Sequence, residues 1–163
     1  MAQPIPLPTS HWLHDFPNLK LSALEFYSEV ENALNARVIP QSKSSRISLN
    51  QTGIFSSKRE YLRVVSGDQT FDICAAPYGT GFFISWWYGE RVGFLKSLLY
   101  RIPIIGPFFM RASEIKTYYQ MDTEAMFREA VRSCVNEAIQ RITSSKGIRG
   151  LSDLELQAIE GKK

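Results

Sequence analysis

The sequence predicts a two-layer α+β domain, an antiparallel β-meander of four to five strands packed by an N-terminal and a C-terminal amphipathic helix. Three observations carry this. Two well-separated segments show helical apolar periodicity, and short β-prone segments punctuated by glycine turns lie between them. The 163 residues are 44% hydrophobic and 21% charged, which suits one globular domain and excludes a disordered chain or a coiled-coil or collagen-like fibre. A chain of this length buries about two-thirds of its unfolded surface, so no metal or disulfide is needed to hold a core.

Residues 1–18 form the first unit. Pro4, Pro6 and Pro8 favour an extended polyproline arm, which Pro17 ends, and no basic stretch marks a signal or transit peptide. His11, His14 and Asp15 fall in this arm; a metal or acid–base cluster wants rigid supports, so solvated histidines are expected. The domain proper spans 19–147. Ser22-Ala-Leu-Glu25 has capping-box spacing and opens a helix with Leu24, Tyr27, Val30 and Leu34 on one face. From Val38 the pattern turns to strand. Arg46–Asn50, Glu60–Ser66 and Thr70–Ala76 follow, the last two joined at Gly67-Asp68 as a hairpin, and a turn at Pro77–Gly81 leads into Phe82–Tyr88. Of the adjacent Trp86 and Trp87, one ring should face the helices and the other should face away.

Glu114–Gln120 is β-prone and predicts a last strand. A helix capped by Asp122 then carries Phe127, Val131, Cys134, Val135, Ala138 and Ile142 on one face and stops at Gly147. Residues 148–163 form a short C-terminal helix and tail, opened by a second capping spacing at Ser152–Glu155.

One segment does not fit a plain domain. Residues 89–111 form an apolar and basic insertion whose run is interrupted by Lys96 and Arg101 and broken by Pro103, Gly106 and Pro107, so it does not suit a bilayer crossing. Phe94, Leu95, Leu98, Leu99 and Ile102 share one helical face, and Ile104, Ile105, Phe108, Phe109 and Met110 follow as an apolar loop. Two readings remain open. The segment covers the sheet as ordinary core, or it docks on an anionic membrane surface or an apolar protein partner. In the second case Phe94, Leu98, Leu99, Ile105, Phe108 and Phe109 supply burial, and Arg91, Lys96, Arg101 and Arg111 supply about 1 kcal/mol each near an anionic surface. Charge is concentrated accordingly: residues 36–66 carry +5 and 91–116 carry +4, against +3 for the whole chain.

Other chemistry is sparsely represented. No Walker loop or dinucleotide fingerprint is present, and no cofactor is implied. Asp72 with Glu114 and Lys116 resembles the acidic-and-lysine pattern of the restriction-nuclease-like fold, which implies a metal-dependent phosphodiesterase or nuclease as an alternative. Arg59, Tyr61, Arg63, Phe71, Trp86 and Tyr88 interleave basic and aromatic residues, as RNA or single-stranded DNA binding requires. Cys74 and Cys134 sit inside apolar patterns and read as two buried thiols. The expectation is therefore a cytoplasmic, non-enzymatic interaction domain acting through 94–111.

Overall fold

A computed structural model describes residues 6–50, 58–91, 116–152 and 155. The chain runs β1 (Leu7–Phe16), α1 (Ala23–Arg37), β2 (Ser42–Asn50), β3 (Lys58–Ser66), β4 (Gln69–Tyr78), β5 (Gly81–Glu90) and α2 (Tyr118–Ser145). The strands form one antiparallel sheet in the order β1-β5-β4-β3-β2. Strands β2 to β5 are the expected meander, and both helices pack on one face. The two-layer α+β architecture is as the sequence predicts.

The proline-rich arm is the first correction. Leu7–Phe16 is an edge strand paired with β5, with a register shift between Pro8 and Ser10. A proline lacks a donor and survives in a sheet only at an edge or a bulge, and Pro8 has both. The close approach rests on glycine: a Cβ on Gly89 would collide with the Leu7 carbonyl, and one on Gly81 would lie 2.8 Å from the Phe16 oxygen. His11 and His14 are thereby held rigidly but on opposite faces of the strand. His11 stacks on Trp87 at 4.4 Å, and His14 lies between Trp12 and Phe16.

Helix α1 carries the chain from β1 at one edge of the sheet to β2 at the other. Its capping box forms as expected, with Ser22 Oγ accepting from the Glu25 N–H and the Glu25 carboxylate accepting from the Ser22 N–H. The buried face is Phe26, Tyr27, Val30, Ala33 and Leu34, while Leu24 is 65% exposed. The anticipated stripe is therefore rotated, with Phe26 in place of Leu24. Helix α2 starts four residues before the expected Asp122. Thr117 and Gln120 form a second capping box, with Gln120 N–H donating to Thr117 Oγ1 and Thr117 N–H to Gln120 Oε1. That box outweighs the β propensity of Tyr118 and Tyr119, so Tyr118–Gln120 is helix where a strand was expected. The predicted face of α2 is buried as read, and Gly147 follows the helix with φ 63°.

The core between the layers joins Phe71, Ile73 and Ala75 of β4, Phe82, Ile84, Trp86 and Tyr88 of β5, and Leu62 and Val64 of β3 to the two helices. Within it, Tyr27 enters the sheet itself. The β3–β4 register runs from Ser66↔Gln69 to Leu62↔Ile73, and two residues further on it would pair Glu60 with Ala75. There the Tyr27 hydroxyl takes the place of that backbone bond, accepting from the Ala75 N–H at 3.0 Å and donating to the Glu60 carbonyl at 2.8 Å. The Arg46 guanidinium, 4.9 Å from the ring centroid, covers it, and burial holds the phenol well above its ordinary acidity range.

Two stability changes follow. Tyr27→Phe leaves the Ala75 N–H and the Glu60 carbonyl without this partner and is expected to cost about 2 kcal/mol in urea unfolding; a neutral result would show that the two strands close on each other. Val38 caps α1 in the left-handed region at φ 50°, ψ 57°, and the residue is 78% exposed. Val38→Gly should therefore raise stability by about 1 kcal/mol, read as a higher urea midpoint.

Candidate functional site

The site is built where β5 ends and α2 begins. Arg91, the first residue past β5, is tied to the β3–β4 turn: its N–H donates to the Asp68 carbonyl at 2.7 Å and its Nη2 to the Gly67 carbonyl at 2.9 Å. The chain returns at Lys116. Its Nζ lies 2.9 Å from Glu90 Oε2 and 2.8 Å from Glu124 Oε1, joining the last residue of β5 to the second turn of α2. Arg91 and Lys116, the described residues on either side of 92–115, thus lie at one corner, a stem closed by a lysine between two carboxylates.

Beside this stem lies an open cleft of about 510 Å³, lined by Thr9, Tyr88, Lys116, Met121, Glu124, Ala125 and Arg128. The Tyr88 hydroxyl donates to the Glu124 carbonyl at 3.3 Å, and Arg128 stands 5.9 Å from the Tyr88 ring centroid. Burial, with the Glu124 carboxylate adding to it, pushes the Tyr88 phenol up to about 12, so it stays a neutral donor. The first turns of α2 present Tyr118, Tyr119, Met121 and Met126, which are 86%, 81%, 51% and 63% exposed. Four large apolar or amphipathic side chains on two helical turns exceed the scattered exposure normal for a soluble surface.

The sequence-derived candidates divide. Arg91 is at the stem. Phe94, Lys96, Leu98, Leu99, Arg101, Ile105, Phe108, Phe109 and Arg111 lie outside the described residues, as does Glu114. Asp72 and Lys116 are not brought together. Asp72 points to the face away from the helices, where its two oxygens accept from Arg63 Nε and Nη2 at 2.7 Å each. Both partners are almost fully buried. Lys116 is committed on the helix side to Glu90 and Glu124. No group of three His, Cys, Asp or Glu side chains suited to a metal ion occurs among the described residues.

The basic and aromatic series separates as well. Phe71, Trp86 and Tyr88 are core under the helices, and Arg63 is held by Asp72. Arg59, Tyr61 and Trp87 remain on the other face, with Trp87 40% exposed, as expected for the outward ring. Cys74 and Cys134 are free and buried, and burial raises both thiols. What the sequence reading missed is the stem itself. Glu90 and Glu124 lie 34 positions apart, and only the Thr117–Gln120 capping spacing hinted that α2 begins early enough to bring Glu124 to Lys116.

Fold and site define a small two-layer α+β domain with an ion-paired corner where β5 ends and α2 begins. The chain matches no protein-family model and no curated protein. It is similar to the crystal structure of TTHA0849 from Thermus thermophilus, at 11% identity over 83% of this chain and 97% of that one, with a TM-score of 0.32. Among the described residues no helix is long and apolar enough to cross a membrane.

The stem has a defined pH dependence. The hydrogen bond to Glu124, with that to Glu90 adding and burial opposing, holds the Lys116 ammonium above its ordinary value of 10.5. A value raised on folding makes the stabilisation complete below about pH 10.5 and loses it as the pH climbs through the higher folded value. Lys116→Met should cost less than ~1 kcal/mol at neutral pH, because the cluster is partly solvated, and should flatten the alkaline limb of stability. An alkaline limb unchanged by the substitution would mean the clamp contributes nothing.

Proposed function

We propose that this protein is a non-enzymatic domain that docks peripherally on an anionic membrane surface, on the cytoplasmic side, through residues 94–111. The observation that carries the reading is the pairing of a clamped stem with exposed Tyr118, Tyr119, Met121 and Met126 beside it. Such a corner holds the two ends of an apolar and basic segment together and flanks them with side chains suited to the headgroup region. Tyrosine in particular favours a boundary where its ring is buried and its hydroxyl stays wet. Phe94, Leu98, Leu99, Ile105, Phe108 and Phe109 supply apolar insertion, while Arg91, Lys96, Arg101 and Arg111 supply an attraction that salt weakens.

The test is flotation of the full chain with vesicles of neutral phosphatidylcholine, with and without phosphatidylserine, at low and at high salt. Recovery with the anionic vesicles that declines with salt is expected. The double change Leu98→Asp/Phe108→Asp should abolish flotation while leaving the thermal melt in place, and Tyr118→Ser/Tyr119→Ser should reduce it several-fold. Absence of flotation with either composition sinks the membrane reading and leaves an apolar protein partner as the occupant to seek. Unfolding of the double variant would instead assign the segment to the core.

A further inference from the structure

The two edges of the sheet are unlike each other. β2 carries Lys43, Arg46 and four serines along nine residues, a charged and polar strand of the kind that keeps a sheet edge from recruiting another strand. β1 has no lysine or arginine. Its protective devices, Pro8 and the irregularity between Pro8 and Ser10, sit in its first half. From Ser10 to Phe16 the ladder to β5 is regular, and among the described residues no strand pairs with the outer side. Along that half, His11 and Asp15 are exposed and Leu13 is 55% exposed.

The order of side chains in this stretch is self-complementary. Antiparallel pairing with a second copy about a two-fold axis at Leu13 sets Leu13 against Leu13 of the second copy, His11 against Asp15, and Trp12 against His14. Each pairing of unlike residues occurs twice. The first face of the new ladder would hold an apolar contact flanked by two imidazole–carboxylate pairs. On the second face the Trp12 and His14 rings, already stacked within the chain at 5.9 Å and 3°, would continue as an aromatic row. Cross-strand pairs of these kinds are what select a register. Neighbouring registers fit worse. An axis at Trp12 sets Pro8 against Phe16, and an axis at His14 sets Leu13 against Asp15 and Pro17 against His11.

We infer that β1 is the interface of a homodimer, pairing antiparallel through Ser10–Phe16 with β1 of a second copy so that one sheet runs through both. Main-chain hydrogen bonds supply the attraction and the side-chain order sets the register. With the axis perpendicular to the sheet, α1 and α2 of both copies lie on the same side. The contact is one strand wide, so the dimer forms in a concentration-dependent way.

Sedimentation equilibrium of the full chain tests this. The mass should rise with concentration from 18.6 kDa toward twice that value. Leu13→Arg, at an exposed position, should remain monomeric at concentrations where the wild type is dimeric, with an unchanged far-ultraviolet spectrum. Because the axis passes through residue 13, Leu13→Cys should form an intermolecular disulfide under mild oxidation, and the native thiols are buried and do not compete. Ser48→Cys on the opposite edge should not. A wild type monomeric at every concentration, an oligomer indifferent to Leu13→Arg, or cross-linking through residue 48 and not residue 13 would each overturn the inference.

Discussion

One phenolic hydroxyl sets how this fold closes. Tyr27 projects from α1 and occupies the gap between β3 and β4, taking the Ala75 N–H and giving to the Glu60 carbonyl. A buried backbone donor or acceptor is costly to strand. The helix therefore cannot slide or rotate without orphaning groups in both strands. Arg46 extends the same link to β2, covering the Tyr27 ring and forming ion pairs with Glu31 of α1 and Glu60 of β3. One helix position thus ties together three strands, although α1 must cross the whole sheet to connect its two edges.

The two faces of the sheet are stabilised by different means. Under the helices the core is aromatic, with Phe26, Phe71, Phe82, Trp86 and Tyr88 in tilted ring contacts. On the other face the centre is an ion pair. Arg63 and Asp72 face each other across β3 and β4 with a bidentate contact and are 4% and 3% exposed. Removing two charges from water costs nearly what their attraction returns, so such a pair adds little net stability yet penalises any register that separates the partners. Hydrophobic packing thus supplies the cohesion, and the ion pair guards the alignment of the central strands.

How much of this was legible follows from where each signal lies along the chain. The Ser22–Glu25 cap, the Gly67-Asp68 turn and the α2 stripe from Phe127 to Ile142 are local patterns, and the structure realises all three. β1 was obscured because proline reads as a breaker, whereas at an edge beside Gly81 and Gly89 its missing donor does no harm. Leu24 and Phe26 compete for the face of α1, and only the position of the crossing helix over β4 decides between them. Asp72 looked like a ligand because no one-dimensional pattern ties it to Arg63, nine positions earlier, until the hairpin sets them opposite. The stem was the least visible, since it joins residues 90, 116 and 124 through a lysine that the sequence assigned to a strand.

That stem makes the corner of the domain a point of modular exchange. Arg91 and Lys116 bound residues 92–115, and Glu90 and Glu124 hold Lys116 from within regular elements. The entropy of closing a connection grows only with the logarithm of its length, about 0.6 kcal/mol for each doubling. A change in the length of the connection between Arg91 and Lys116 therefore carries only a small closure cost. The junction of Glu90, Lys116 and Glu124 then stays in place whatever the length of the connection it bounds.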